Sequence, residues 1–255
     1  MDKALKSVLD WWEDAGVDVP DVKLAAPKRK VPPRQAPAQK TMPSQTPRPK
    51  PAAPKPMIDA APIAAKAKTL TELKAAMDTF DAGPLSDGAR QCVFARGNPD
   101  ANVMVIGEAP GIEEDKAGKP FIGPAGQLLD KMLASIGLTE ETAYLTNVVN
   151  WRLPNNRKTT DDDIALCKPF LDRHIELAAP KVILMVGGVS MSALTGLTGI
   201  MKQRGQWQTV TIAGKDIPAL PIYHPAFLLR QPTLKKDAWR DLLALRERLG
   251  VFNPS

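Results

Sequence analysis

Residues 69–255 predict an α/β domain: a three-layer α/β/α sandwich around a central, mainly parallel four-stranded sheet. Three observations predict it. Four short apolar runs alternate with amphipathic helical segments. The runs are apolar on both faces, as strands covered from two sides must be. Each run also leads into a loop rich in glycine, proline or asparagine, and such loops carry ligands at the carboxyl edge of a parallel sheet.

The strands are expected at 102–107 (NVMVIG), 143–149 (AYLTNVV), 181–186 (KVILMV) and 217–223 (IPALPIY). Helices are expected at about 71–80, 126–136, 161–177, 190–197 and 233–249. Thr160 and Asp163, three residues apart, read as the capping box that opens the third helix, and Pro169 as a kink within it.

The first 68 residues differ in kind. Within residues 1–21, Leu5, Val8, Leu9 and Trp12 share one helical face, which predicts an amphipathic helix too short to persist without a docking partner. Residues 22–68 hold 11 basic side chains, 1 acidic one, 11 of the 25 prolines and no aromatic residue. That composition predicts a disordered Lys/Pro/Ala-rich linker. The net charge of +6 belongs to this stretch, because residues 69–255 carry 21 basic and 21 acidic side chains.

Several classes are excluded. No apolar run approaches the roughly 18 residues of a membrane span, and the N-terminus lacks the pattern of a secretory signal. A cytoplasmic, nucleoid-associated monomer is expected. Two cysteines, Cys92 and Cys167, are too few for a disulfide framework or a four-thiolate site. Gly107 to Gly111 is not the G-x-G-x-x-G of dinucleotide folds, and GVSMS from Gly188 lacks the last glycine of a serine-hydrolase elbow.

The loops themselves are distinctive: GEAPGIEEDKAGKPFIGPAGQLLD from Gly107, YLTNVVNWR from Tyr144, NNR from Asn155, RGQW from Arg204 and HPAFLLR from His224. In this order they resemble the bacterial and archaeal family-four uracil-DNA glycosylases, over essentially all of residues 70–249. The resemblance implies a monofunctional glycosylase that flips uracil out of DNA and hydrolyses its N-glycosidic bond, leaving an abasic site in base-excision repair. The alternative is a non-catalytic uracil- or DNA-binding member of the same superfamily.

Uracil excision develops positive charge on the sugar and negative charge on the leaving base, so a site needs donors at the base and an anion at the sugar. By resemblance Asn147 reads the base, since an amide can accept from N3–H and donate to O4. Phe121 stacks on the flipped ring, and the backbone of Gly107, Glu108 and Ala109 lines its edge. His224 donates to O2. Glu108 is the favoured carboxylate for orienting water, with Glu114 and Asp115 in reserve. In the family-one enzymes the catalytic aspartate falls where this chain has Ala109. Arg157, Ser190, Arg204 and Arg230 are expected to contact phosphates, and Phe227 and Leu228 to wedge into the space the base vacates.

The resemblance breaks at the family's 4Fe-4S cluster. Of its four cysteine positions, three fall on Phe80, Gly83 and Trp151 and only one on Cys167. The expectation is that no cofactor is present and that Phe80 and Trp151 pack there instead. Uracil-containing DNA is the expected partner, with a replication or repair protein recruited by the N-terminal helix.

Overall fold

The computed structural model describes residues 59–250. The helix expected within residues 1–21 and the linker up to residue 58 lie outside the described residues. The end of the expected linker is ordered: α1 (Ala61–Lys66) precedes α2 (Leu70–Asp78), and Ala60, Ala64 and Ala67 are buried in the core. Arg173 fixes this entry, its Nε and Nη2 donating to the Ala67 carbonyl at 2.8 and 2.6 Å.

The sheet has six strands rather than four. Its parallel centre is the predicted one: β2 (Val103–Gly107), β3 (Ala143–Asn147), β4 (Val182–Val186) and β6 (Lys215–Ile222). Two antiparallel edges are added, β1 (Arg96–Gly97) and β5 (Gln208–Ile212), giving the order β1-β3-β2-β4-β6-β5. A two-residue strand is too short to show any period, and β5 pairs polar residues with only Val210 and Ile212 buried.

Alternate residues of the central strands feed two separate cores. Met104, Ile106, Ile183 and Met185 pack with α2 and α5 (Asp161–Ala178). Val103, Val105, Leu184 and Val186 pack with α4 (Pro124–Ala134) and α9 (Lys235–Gly250). This two-sided burial is why the strands read as unbroken apolar runs. Thr160 and Asp163 form the expected capping box, and α5 runs on through Pro169. Four further short α-helices belong to the described domain: α3 (Ile112–Ala117), α6 (Gly188–Thr195), α7 (Ile200–Gln203) and α8 (Pro225–Arg230). Strand order reverses around β2, and the loops leaving β2, β3, β4 and β6 meet at that carboxyl edge.

Candidate active site

The site is built on the parallel pairing of β2 with β3, which places Gly107 opposite Asn147 at the strand ends. The pairing continues past them: Val148 N–H donates to the Gly107 carbonyl at 3.0 Å and Val149 N–H to that of Glu108 at 2.9 Å. A side chain at Gly107 would overlap the Phe121 ring and come 2.5 Å from Asn147 Oδ1. Glycine at this position therefore lets ring, amide and backbone meet.

Phe121 holds an unusual backbone, with φ +57°, a region that costs a non-glycine residue roughly 1–2 kcal/mol. The fold clamps it from three sides. Its carbonyl lies where a side chain at Gly126 would stand. Buried Arg96 donates to the Pro120 carbonyl at 2.9 Å and the Phe121 carbonyl at 3.3 Å, and is itself paired with Asp130 at 2.5 Å. Glu114 accepts from the N–H groups of Ile122 and Gly123, both at 2.8 Å, and from Gly111 N–H at 3.0 Å.

Glu114, the first reserve carboxylate, lines the cavity described below, and both its oxygens brace this loop. Asp115, the second reserve carboxylate, is buried and accepts from Arg90 N–H at 2.8 Å, and it is not in the cavity lining.

His224 caps α8, its Nδ1 accepting from Ala226 N–H at 3.1 Å. With Nδ1 an acceptor, the proton of the neutral ring sits on Nε2, which is left as a donor. Burial holds this imidazole below its usual range; Arg230 adds to the effect, and Glu108 and Glu114 oppose it. The ring lies 6.5 Å from that of Phe121, tilted by 28°. Gly187, at φ +98°, makes room behind it.

Asn147 is only 3% exposed, yet its side-chain amide makes no hydrogen bond with the described residues. Asn150 nearby shows the contrast, its Nδ2 donating to Val93 O at 3.0 Å. A buried amide left unmatched costs roughly 1–3 kcal/mol, so Asn147 suits a ligand that offers both a donor and an acceptor. A cavity of about 480 Å³ is lined by Glu108, Ala109, Asn156, Arg157 and His224 among others. Gly107, Phe121 and Asn147 are not in that lining. They pack together where β2 and β3 end.

The rim differs from the expectation in several places. Arg157 lines the cavity but holds Asp163 through Nη1 and Nη2, at 2.5 and 2.8 Å. Arg204 is committed to Asp241, to the Asp237 carbonyl at 2.6 Å and to the Tyr223 ring, so it stabilises the fold rather than offering a free phosphate contact. Ser190 is fully buried, donating to the Gly187 carbonyl at 3.1 Å. Leu228, expected as a wedge, is 0% exposed, whereas Leu229 is 47% exposed. Phe227 is half-buried, edge-on to Tyr223 at 5.5 Å, and Arg230 is exposed.

Sequence reading missed Arg96, Thr159 and Leu229. Thr159 adjoins the capping box that was legible, but its contact with Glu108 spans 51 residues and left no local pattern.

At the family's cluster positions, Phe80, Trp151 and Cys167 are buried in one core. The Phe80 ring meets Trp151 at 6.0 Å and Phe170 at 4.9 Å. Burial pushes the thiols of Cys92 and Cys167 up to about 12, so both stay protonated. Among the described residues no group of three His, Cys, Asp or Glu could hold a metal ion, and no helix is long and apolar enough to cross a membrane.

Residues 94–243 match the model of the uracil DNA glycosylase superfamily. The chain is 41% identical to a type-4 uracil-DNA glycosylase of Sulfurisphaera tokodaii over 161 residues, covering 61% of this chain and 73% of that one. It is 38% identical to the type-4 uracil-DNA glycosylase of Archaeoglobus fulgidus, covering 62% and 82%. It is also 38% identical to that of Saccharolobus solfataricus, covering 68% and 88%.

Proposed function

The chain belongs to the uracil DNA glycosylase superfamily, alongside the type-4 enzymes, and on that premise we propose that it excises uracil from DNA by hydrolysis. One observation carries the reading: the buried, unmatched Asn147 amide lies against Gly107 and the clamped Phe121 ring, with the His224 imidazole close by. An extruded uracil offers what Asn147 lacks, a donor at N3–H and an acceptor at O4. Phe121 supplies the stacking surface. His224 Nε2–H donates to O2 and stabilises the anion formed as the C1′–N1 bond breaks. Glu108 steadies the positive sugar and orients the water that adds to C1′. The products are free uracil and an abasic site, and the strand is left uncut.

We infer that no iron–sulfur cluster is held. The donor set does not fit one: four thiolates are needed, the chain has two cysteines, and aromatic rings pack where ligands would stand. No step of the proposed reaction uses such a group. Stoichiometric iron in anaerobically purified protein would refute this.

The test of the main reading is a uracil-containing oligonucleotide incubated with the protein and EDTA, then heated in alkali. Cleavage at the uracil is expected from the wild type and is expected to be lost in Asn147→Ala and His224→Ala. An intact strand with folded wild type would rule the reading out.

A further inference from the structure

We infer that Thr159 is a positioning residue for the glycosylase reaction, holding the Glu108 carboxylate in its working orientation; this rests on the reading above. Thr159 Oγ1 donates to Glu108 Oε1 at 2.7 Å. The bond joins the loop after β2 to the loop before α5 and is the one side-chain hydrogen bond fixing Glu108 among the described residues. It ties up one carboxylate oxygen and leaves Oε2 without a protein partner there. The Glu108 backbone is already fixed, its carbonyl accepting from Val149 N–H at 2.9 Å. Side-chain torsion is the freedom that remains, and Thr159 removes it.

Thr159 is itself held rigidly. Asp163 is buried at the first turn of α5 and accepts from Thr160 N–H at 2.8 Å, from Thr160 Oγ1 at 2.8 Å and from Nη1 and Nη2 of Arg157. Arg157 also donates to the Lys158 carbonyl at 3.0 Å. Both neighbours of Thr159 are thus bonded within one network. Burial alone would raise the Asp163 carboxyl, but the bonds from Arg157 and Thr160 and the arginine's charge hold it below its usual range. The network therefore stays charged at neutral pH and keeps Thr159 aimed at Glu108. A carboxylate that must face a short-lived cationic sugar gains most from being oriented beforehand, because small misplacements at a reacting centre cost rate steeply.

The experiment compares wild type, Thr159→Val, Thr159→Ser, Glu108→Gln and the Glu108→Gln/Thr159→Val double variant. Single-turnover excision rate and affinity for uracil-containing DNA are measured for each. Thr159→Val is expected to slow excision roughly tenfold or more, the scale of one charge-assisted hydrogen bond, with affinity nearly unchanged. Thr159→Ser is expected to restore the rate, and Thr159→Val to add no further loss on Glu108→Gln. A valine variant as fast as wild type overturns the assignment. So does one whose rate and affinity fall together, or whose loss is undiminished in the Glu108→Gln background. If valine prevents folding, a serine variant that folds but stays slow overturns it equally. A wild type that leaves the uracil strand intact overturns the glycosylase reading itself, which is a distinct result.

Discussion

Asn147 Oδ1 lies 2.5 Å from the point where a Cβ on Gly107 would stand, and the parallel register of β2 and β3 sets the two residues opposite each other. One methyl group at residue 107 would therefore push against the amide proposed to read the base and against the Phe121 ring. Gly107→Ala is expected to lower single-turnover excision on the order of a hundredfold, the cost of displacing a reacting assembly by about 1 Å. The far-UV circular dichroism should be unchanged, since the alanine sits at a strand end with ordinary backbone angles. Wild-type excision by a folded Gly107→Ala would show that the three groups do not act together.

Arg96 and the Phe121 loop give a second expectation. The guanidinium bonds to two loop carbonyls while Phe121 stays at positive φ. Arg96→Met keeps the stem's packing but removes one of the three restraints on the loop, which loosens the Phe121 backbone and ring. Inhibition by free uracil should weaken roughly tenfold and thermal stability should fall, each lost bond from a charged donor being worth about 1.5–3 kcal/mol. Asp130 adds little to that cost because it is half exposed and water can solvate it. Unaltered uracil inhibition would separate the clamp from base binding.

How much of this could be read from the chain depends on the range of each interaction. The four central strands were legible because burial on both faces leaves an unbroken apolar run. Thr160 and Asp163 were legible because a capping box is a local pattern. The pairing of Arg204 was not legible because its partner Asp241 lies 37 residues away, and an unpaired arginine looks the same in sequence as a paired one. Arg96 reaches 24 residues to Pro120 and was missed for the same reason. The helix Ala61–Lys66 was hidden by the composition around it, although Ala60, Ala64 and Ala67 do stand at helical spacing. For Leu228 and Leu229, a six-residue helix has too few apolar positions to declare which face turns inward.

Those two leucines should separate stability from DNA contact. Leu228 is fully buried and Leu229 is 47% exposed on α8, the helix that His224 caps. Leu228→Ala should cost about 2–5 kcal/mol of stability, as a cavity-forming change in a core does. Leu229→Ala should change stability by less than about 0.5 kcal/mol. If Leu229 is the wedge, its loss should slow excision from duplex DNA more than from single strands, where there is no stack to open. Equal slowing on both substrates would count against the wedge.

The two histidines make the fold sensitive to mild acid. His174 is buried between the Phe94 ring, stacked at 4.3 Å, and the Tyr144 hydroxyl at 2.9 Å. Burial lowers it to about 3, whereas an unfolded histidine titrates near 6.5. The unfolded chain therefore takes up a proton first as pH falls. The stability tied to neutral His174 is complete above about pH 6.5 and is lost progressively from there toward pH 3. One such group lowers unfolding free energy by about 2 kcal/mol between pH 7 and pH 5. His224, shifted in the same direction by burial, adds to the slope. Asp241 opposes part of this decline: burial raises its carboxyl to about 6, so the folded state takes up that proton first and gains stability as pH falls through 6. Urea denaturation at pH 7, 6 and 5 should show the decline in wild type. His174→Gln should start from a lower stability at pH 7, having lost the ring stack, but show a shallower decline toward pH 5. An equal decline in the two proteins would mean that His174 is not the group whose protonation opposes folding.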